Sequence, residues 1–156
     1  EDNKRMVGAK KKSTDAIEAI KVDLSGFNPD CTYYVTYDEN GNNEKIGDKI
    51  QLDDKGNATN MPKNWYNYKA KIWANIVTKG RDANGNELIT YWTYIPRYEY
   101  DTSGVEGVNQ MANARFIPLS QKTPDTGFQI PECFSFGGKD LAGYWVSKYE
   151  IQGTID

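Results

Sequence analysis

Hydrophobic and polar positions change period once along this chain. Over STDAIEAIKV (13–22), Ala16, Ile17, Ala19 and Ile20 recur at helical spacing, and Asp15 with Glu18 resembles a capping pair. That segment predicts a short helix or a helix-to-strand lead-in. GFNPD (26–30) is a turn cluster that stops it. From there the period is two. CTYYVTYD (31–38) sets Tyr33, Val35 and Tyr37 on one face and Tyr34 and Thr36 on the other. Asn40-Gly41 in ENGNNE signals a hairpin, with KIQLD (49–53) as its returning strand. WYNYKAKIWANIVTKG (65–80) holds a second alternating run, Ile72, Ala74 and Ile76 opposite Trp73 and Val77. RDANGNE (81–87) is another turn, and ELITYWTYIPRYEYD (87–101) follows it as a strand. In that strand Trp92, Tyr94 and Tyr98 share one face, and Tyr91, Ile95 and Arg97 the other. Pro96 cannot donate to a ladder, so it marks an edge, a bulge or the end of regular pairing. Residues 102–132 read as irregular, with FIPL (116–119) as one short strand. CFSFGGKDLAGYWVSKYEI (133–151) turns at Gly137-Gly138 and then runs as a strand from Tyr144 to Ile151.

These elements predict an α+β fold that is mainly antiparallel β. They divide it into a lead-in over 1–22, a small hairpin region over 23–62 and an aromatic-rich β region over 63–156, packed as one compact unit. Composition sharpens this. Eleven tyrosines, four tryptophans and five phenylalanines make rings a large share of the apolar content. Large flat side chains pack well on a pleated surface, which again favours sheets. The stripes read as core more readily than as a sugar-binding or base-stacking surface.

Charge narrows the partners. Residues 1–12 carry five basic and two acidic side chains, which leaves −6 on the remainder of a chain of net charge −3. That body repels phosphate at long range, which counts against nucleic acid. No stretch approaches the ~20 apolar residues needed to span a bilayer. The chain has no histidine, which removes the commonest general base and the Ser-His-Asp and Cys-His arrangements. Cys31 and Cys133 are the only thiols. They form either a disulfide, closing a loop of about 100 residues and stabilising by about 4–5 kcal/mol, or two free buried thiols.

Other chemistry reads weakly. Asp53-Asp54, and Glu99 with Asp101, are paired carboxylates without a defined separation across a cleft. DENGNNE, DDKGN and RDANGNE are rich in oxygen ligands, yet none follows the calcium-loop pattern, and hairpin chemistry explains all of them. No cofactor is implied. Asn57-Ala58-Thr59 is formally a glycosylation sequon.

YWTYIPRYEY, joined to WYNYKAKIWANIVTKG upstream and FIPLSQKTPDTGFQIPECFSFGGKDLAGYWVSKYE downstream, resembles a family of surface-displayed proteins of phages, prophages and bacterial envelopes. These are similar to the formylglycine-generating-enzyme version of the C-type lectin fold. The resemblance runs from about Lys21 to Gly153, and its most specific parts are Trp92 to Tyr100 and Gly143 to Glu150. It implies an aromatic-rich, C-type-lectin-like scaffold for display and adhesion, in an incomplete or minimal version that ends soon after the K-Y-E strand. The enzyme branch relies on a late cysteine pair that is not found here, so the resemblance carries no catalysis. The partners it implies are neighbouring subunits in a virion or filament, and a glycan or protein receptor on a cell surface. The location it implies is extracellular. Trp65, Trp73, Trp92, Tyr94, Tyr98, Trp145 and Tyr149 are the expected ring core. Arg97 is the expected structural pin, stacked on a ring and forked onto a carboxylate such as Glu150.

Overall fold

The computed structural model of the chain describes residues 16–18, 20–42, 44–101 and 114–152, except for the side chains of 136 and 149–152. It is mainly antiparallel β-sheet with very little helix: of the expected helix only 16–18 is helical among the described residues. The strands in chain order are β1 (Thr32–Thr36), β2 (Lys45–Lys49), β3 (Asn75–Arg81), β4 (Glu87–Pro96) and β5 (Tyr98–Asp101). They continue with β6 (Ala114–Phe116), β7 (Phe128–Gln129), β8 (Ser135–Phe136), β9 (Lys139–Asp140) and β10 (Gly143–Gln152). The chain forms two compact units, Val22–Ile95 with Trp145–Asp156, and Glu1–Lys21 with Pro96–Tyr144.

The first unit is built on a five-stranded sheet of order β10-β4-β3-β1-β2. β1 lies between β2 and β3, pairing antiparallel with both, so the expected boundary at 62/63 runs through a single sheet. One face carries Val35, Val77 and Ile89, buried beneath the half-buried Tyr33, Ile46 and Tyr91. Tyr33 is paired with Val77, and Val77 with Tyr91, which is how alternation on each strand collects these side chains on one side. Tyr34 and Ile76, paired with each other on the opposite side, are both fully buried.

The turns are made by one device used repeatedly. Asp38–Asn42, Asp53–Asn57 and Asp82–Asn86 all read D-x-x-G-N. In each, the Asp carboxylate accepts main-chain N–H groups from the second and fourth residues after it, at 2.9 Å throughout. The Asp N–H donates to the Asn carbonyl at 2.9 Å, and the glycine N–H donates back to the Asp carbonyl at 3.0–3.1 Å. The glycine is required because φ there is +76°, +82° and +82°, a region costly for any residue with a Cβ. The first and third copies close the β1–β2 and β3–β4 hairpins, and the second closes the Leu52↔Ala58 bridge.

This device moves several elements from where alternation places them. The turn 38–42 is so tight that the returning strand begins at Lys45, and 49–53 instead leads into the next turn. The alternating run expected from Ile72 to Val77, within 65–80, is a strand only from Asn75. Upstream, Asn67 Oδ1 accepts from Ala70 N–H at 3.1 Å and caps a 3-10 turn over Tyr68–Ala70, and Lys71 takes φ +62°. β6 lies at Ala114–Phe116 and not at 116–119, consistent with the missing N–H of Pro118.

Candidate functional site

Two arrangements of polar side chains stand out, one in each unit. The first is a pocket beside β2, the edge strand of the large sheet. Pairing slips there: Tyr33 is opposite Lys49 but Val35 is opposite Ile46, so Gly47 and Asp48 together face Tyr34. Such a bulge bends an edge strand and redirects its side chains. Gly47 lets the edge strand approach β1 closely, since a Cβ on it would lie 3.2 Å from Thr36 Cγ2 and 3.4 Å from the Tyr34 carbonyl oxygen. The far wall is the segment 60–64. Asn60 Oδ1 accepts from the Tyr34 hydroxyl and from Gln51 N–H, both at 2.9 Å, while its Nδ2 donates to the Lys49 carbonyl at 2.8 Å. Asn64 is tied to Tyr37 through its Nδ2 at 2.9 Å and its carbonyl at 3.0 Å. The resulting pocket has a volume of about 380 Å3 and is lined by Tyr34, Thr36, Lys45, Ile46, Gly47, Asp48, Asn60, Pro62 and Asn64. Burial pushes the Tyr34 phenol up to about 12, so it remains a neutral donor that fixes Asn60 at ordinary pH.

The second arrangement is a buried charge network in the unit of short strands. Glu99 on β5 is fully buried and directly opposite Arg115 on β6. Its carboxylate accepts from Arg115 Nε at 2.7 Å, Gln121 Nε2 at 2.9 Å and Asp125 N–H at 2.9 Å. Arg115 also reaches Asp125 Oδ2 at 2.6 Å and lies 3.9 Å from the centre of the Phe128 ring. Arg97, 1% exposed, sits in the break between β4 and β5. Its Nε and Nη2 donate to the Gln121 carbonyl at 3.3 and 3.1 Å, and Nη1 to the carbonyls of Leu141 and Phe134 at 3.4 and 3.5 Å. A guanidinium can satisfy several carbonyls at once because its donors radiate in one plane.

Trp65 and Tyr94 are buried, and Trp73, Trp92, Tyr98 and Trp145 are half-buried. Trp65 packs edge-on against Tyr34 at 4.8 Å, Trp73 meets Tyr68 at 5.5 Å, and Phe27 meets Trp92 at 5.7 Å and Trp145 at 5.2 Å. Tyr98 meets Phe134 at 5.3 Å in the other unit. Indole and phenol groups also tie down the backbone: Trp65 donates to the Asn75 carbonyl at 2.7 Å, Trp145 to Asp23 at 2.6 Å and Tyr68 to Tyr94 at 2.8 Å. The side chains of Tyr149 and Glu150 lie outside the described residues. Arg97 is buried, and its donors go to main-chain carbonyls where a carboxylate was expected. Glu99, half of one carboxylate pair weighed for chemistry, is the group that takes the ionic role, with Arg115 Nε on its Oε1 and Arg115 Nη2 turned to Asp125.

Cys31 and Cys133 are both free thiols, so the bridge left open by the sequence is not formed, and neither is buried as expected: Cys31 is half-buried and Cys133 exposed. Cys31 Sγ donates instead to the Asn28 carbonyl at 3.6 Å, and burial with Cys133 beside it raises the Tyr144 phenol. Among the described residues no group of three His, Cys, Asp or Glu side chains could hold a metal, and no helix is long and apolar enough to cross a membrane. Sequence reasoning missed both arrangements. A glycine interrupting the alternation at 47 and an inward charge inside Tyr98-Glu99-Tyr100 were the available signals. Comparison with protein-family models, curated proteins and solved structures finds no match.

Proposed function

We propose that this chain is a non-enzymatic structural and adhesion module, displayed extracellularly on a phage tail or virion appendage for attachment to a host or surface. The observation that supports it best is where the rings go. All four tryptophans are in edge-on or tilted contact with other rings. Each such contact contributes about 0.5–1.5 kcal/mol beyond area burial, and rings spent this way stiffen a scaffold. The likeness of Trp92–Tyr100 and Gly143–Glu150 to displayed lectin-like scaffolds supplies the class, and neighbouring subunits and a surface receptor are its partners. The test is gold labelling, with antibodies to this chain, of producing cells and the particles they release. Label on a virion appendage is the expected result. Label on cell-attached filaments would move the module to a pilus or surface fibre, and label confined to the cell interior would remove the adhesion reading.

A further inference from the structure

We propose that the pocket beside Gly47 is a binding site for one pyranose unit of a glycan. This deepens the adhesion reading, on which it rests for the glycan being carried on a surface. Most polar groups in the wall are already used: the Tyr34 hydroxyl and both ends of the Asn60 carboxamide are committed to one another and to the backbone. Those left over define the ligand. Lys45 and Asp48 both line the pocket, both are exposed, and neither side chain has an ion-pair or hydrogen-bond partner among the described residues. Asn64 donates through Nδ2, which leaves its Oδ1 able to accept. The Thr36 hydroxyl is held only at 3.4 Å.

A ligand that satisfies this set must donate to a carboxylate and an amide oxygen while accepting from an ammonium. A simple anion meets repulsion from Asp48, a simple cation meets it from Lys45, and an apolar ligand leaves both charges without partners. Vicinal hydroxyl groups do all that is required, because each is donor and acceptor at once. The C–H face of a pyranose finds apolar cover in Pro62, which also lines the pocket. The volume, about 380 Å3, lies at the small end of the range for ligand sites. The one ring in the wall, Tyr34, is fully buried and offers no open face for stacking. A single site is therefore weak, and useful attachment comes from many copies acting together.

The experiment is a 15N-HSQC titration of the whole chain with methyl galactoside, methyl mannoside and methyl N-acetylglucosaminide. It is repeated on Asp48→Asn and Gly47→Val, with acetate and tetramethylammonium as charged controls. The expected result is a saturable shift with at least one glycoside, confined to residues 34–36, 45–48 and 60–64. Asp48→Asn should weaken it about tenfold, as loss of one charged hydrogen bond does. Gly47→Val should abolish it, and Asp48→Asn, at an exposed position, reports even where the valine disturbs the strand. No saturable shift up to about 50 mM, where a millimolar site would be full, overturns the proposal. So do shifts confined elsewhere, shifts unchanged in Asp48→Asn, and equal response to the charged controls. Glycoside binding without surface labelling leaves the pocket standing and removes the adhesion reading. Surface labelling without glycoside binding removes the pocket alone.

Discussion

The two units solve the same problem with different materials. In the large sheet, strands of five to ten residues carry long ladders, and the interior is filled by rings and branched aliphatics. In the other unit the strands run two to four residues before Gly143. Ladders that short supply few hydrogen bonds, and loops make up the rest. There Arg97 and Glu99 supplement the short ladders, each gathering several loop groups at one point. Loop backbone is held where a charged side chain can reach multiple carbonyls or N–H groups, and the desolvation of that charge is offset only while every contact is kept.

The sharpest way to break this comparison is to remove one charge. Glu99→Ala should destabilise the chain by about 3–5 kcal/mol, the usual cost of leaving half of a buried pair behind. Urea unfolding measures the total, and amide exchange at Ile117 and Asp125 shows whether the loss is local. A change below about 1 kcal/mol, the level of an exposed pair, would mean that the network does not hold the loops. Arg97→Lys comes next. Lysine keeps the charge but cannot present a planar fork to Gln121, Phe134 and Leu141 together, so a loss of about 1.5–3 kcal/mol is expected. An unchanged melting temperature would remove Arg97 as a pin.

The same contrast explains what was legible in the sequence. The sheet was largely readable because alternation over Thr32–Thr36 and Glu87–Pro96 encodes both strand and face, and Tyr33, Val35, Tyr34, Trp92 and Tyr94 lie as that pattern requires. The returning strand was misplaced by a few residues because turn length, which sets register, is decided by hydrogen bonds of Asp38 that periodicity does not see. The alternating run read from Ile72 onward becomes a ladder strand only at Asn75, because Ile72 is held by an isolated bridge to Asn67 that the period does not show. The charge network joins Glu99, Arg115, Gln121 and Asp125 across loops, and nothing local in the sequence links them. The pocket was hidden for a related reason: its walls come from β1, β2 and the 60–64 segment, and its opening depends on a bulge.

The repeated D-x-x-G-N turn offers a smaller and cleaner comparison inside the large unit. Gly56 and Gly85 share φ +82° but differ in surroundings: a Cβ at 56 would lie 2.9 Å from Ser25 Cβ, and one at 85 would meet nothing within 4 Å. Gly85→Ala should cost about 1–2 kcal/mol from backbone conformation alone. Gly56→Ala should cost that and more, because the 23–26 segment must shift. Equal losses by urea unfolding would show that the contact with Ser25 yields freely.

The smallest effect is electrostatic and depends on pH. Asp53 and Asp82 are held below the ordinary carboxylate range, first by the main-chain N–H of Asn57 and Asn86 respectively and then by further hydrogen bonds within each turn. A depressed folded value means that the unfolded chain binds a proton first as pH falls. The turn's contribution is then complete above the unfolded value of about 3.9 and is lost as pH drops through the lower folded value. Amide exchange at Asn84 and Asn86, donors to Asp82, should therefore accelerate in acid beyond the intrinsic pH dependence. In Asp82→Asn that extra acceleration should vanish, while exchange at Lys55 and Asn57 keeps it. Asp53 is exposed and Asp82 half-buried in a surface turn, so the turn opens locally while Val77 and Ile89, under the third copy's hairpin, stay protected. Loss of protection at those core amides in the same pH range would show that the turn acid holds the sheet, and the separation drawn between turn chemistry and ring packing would fail.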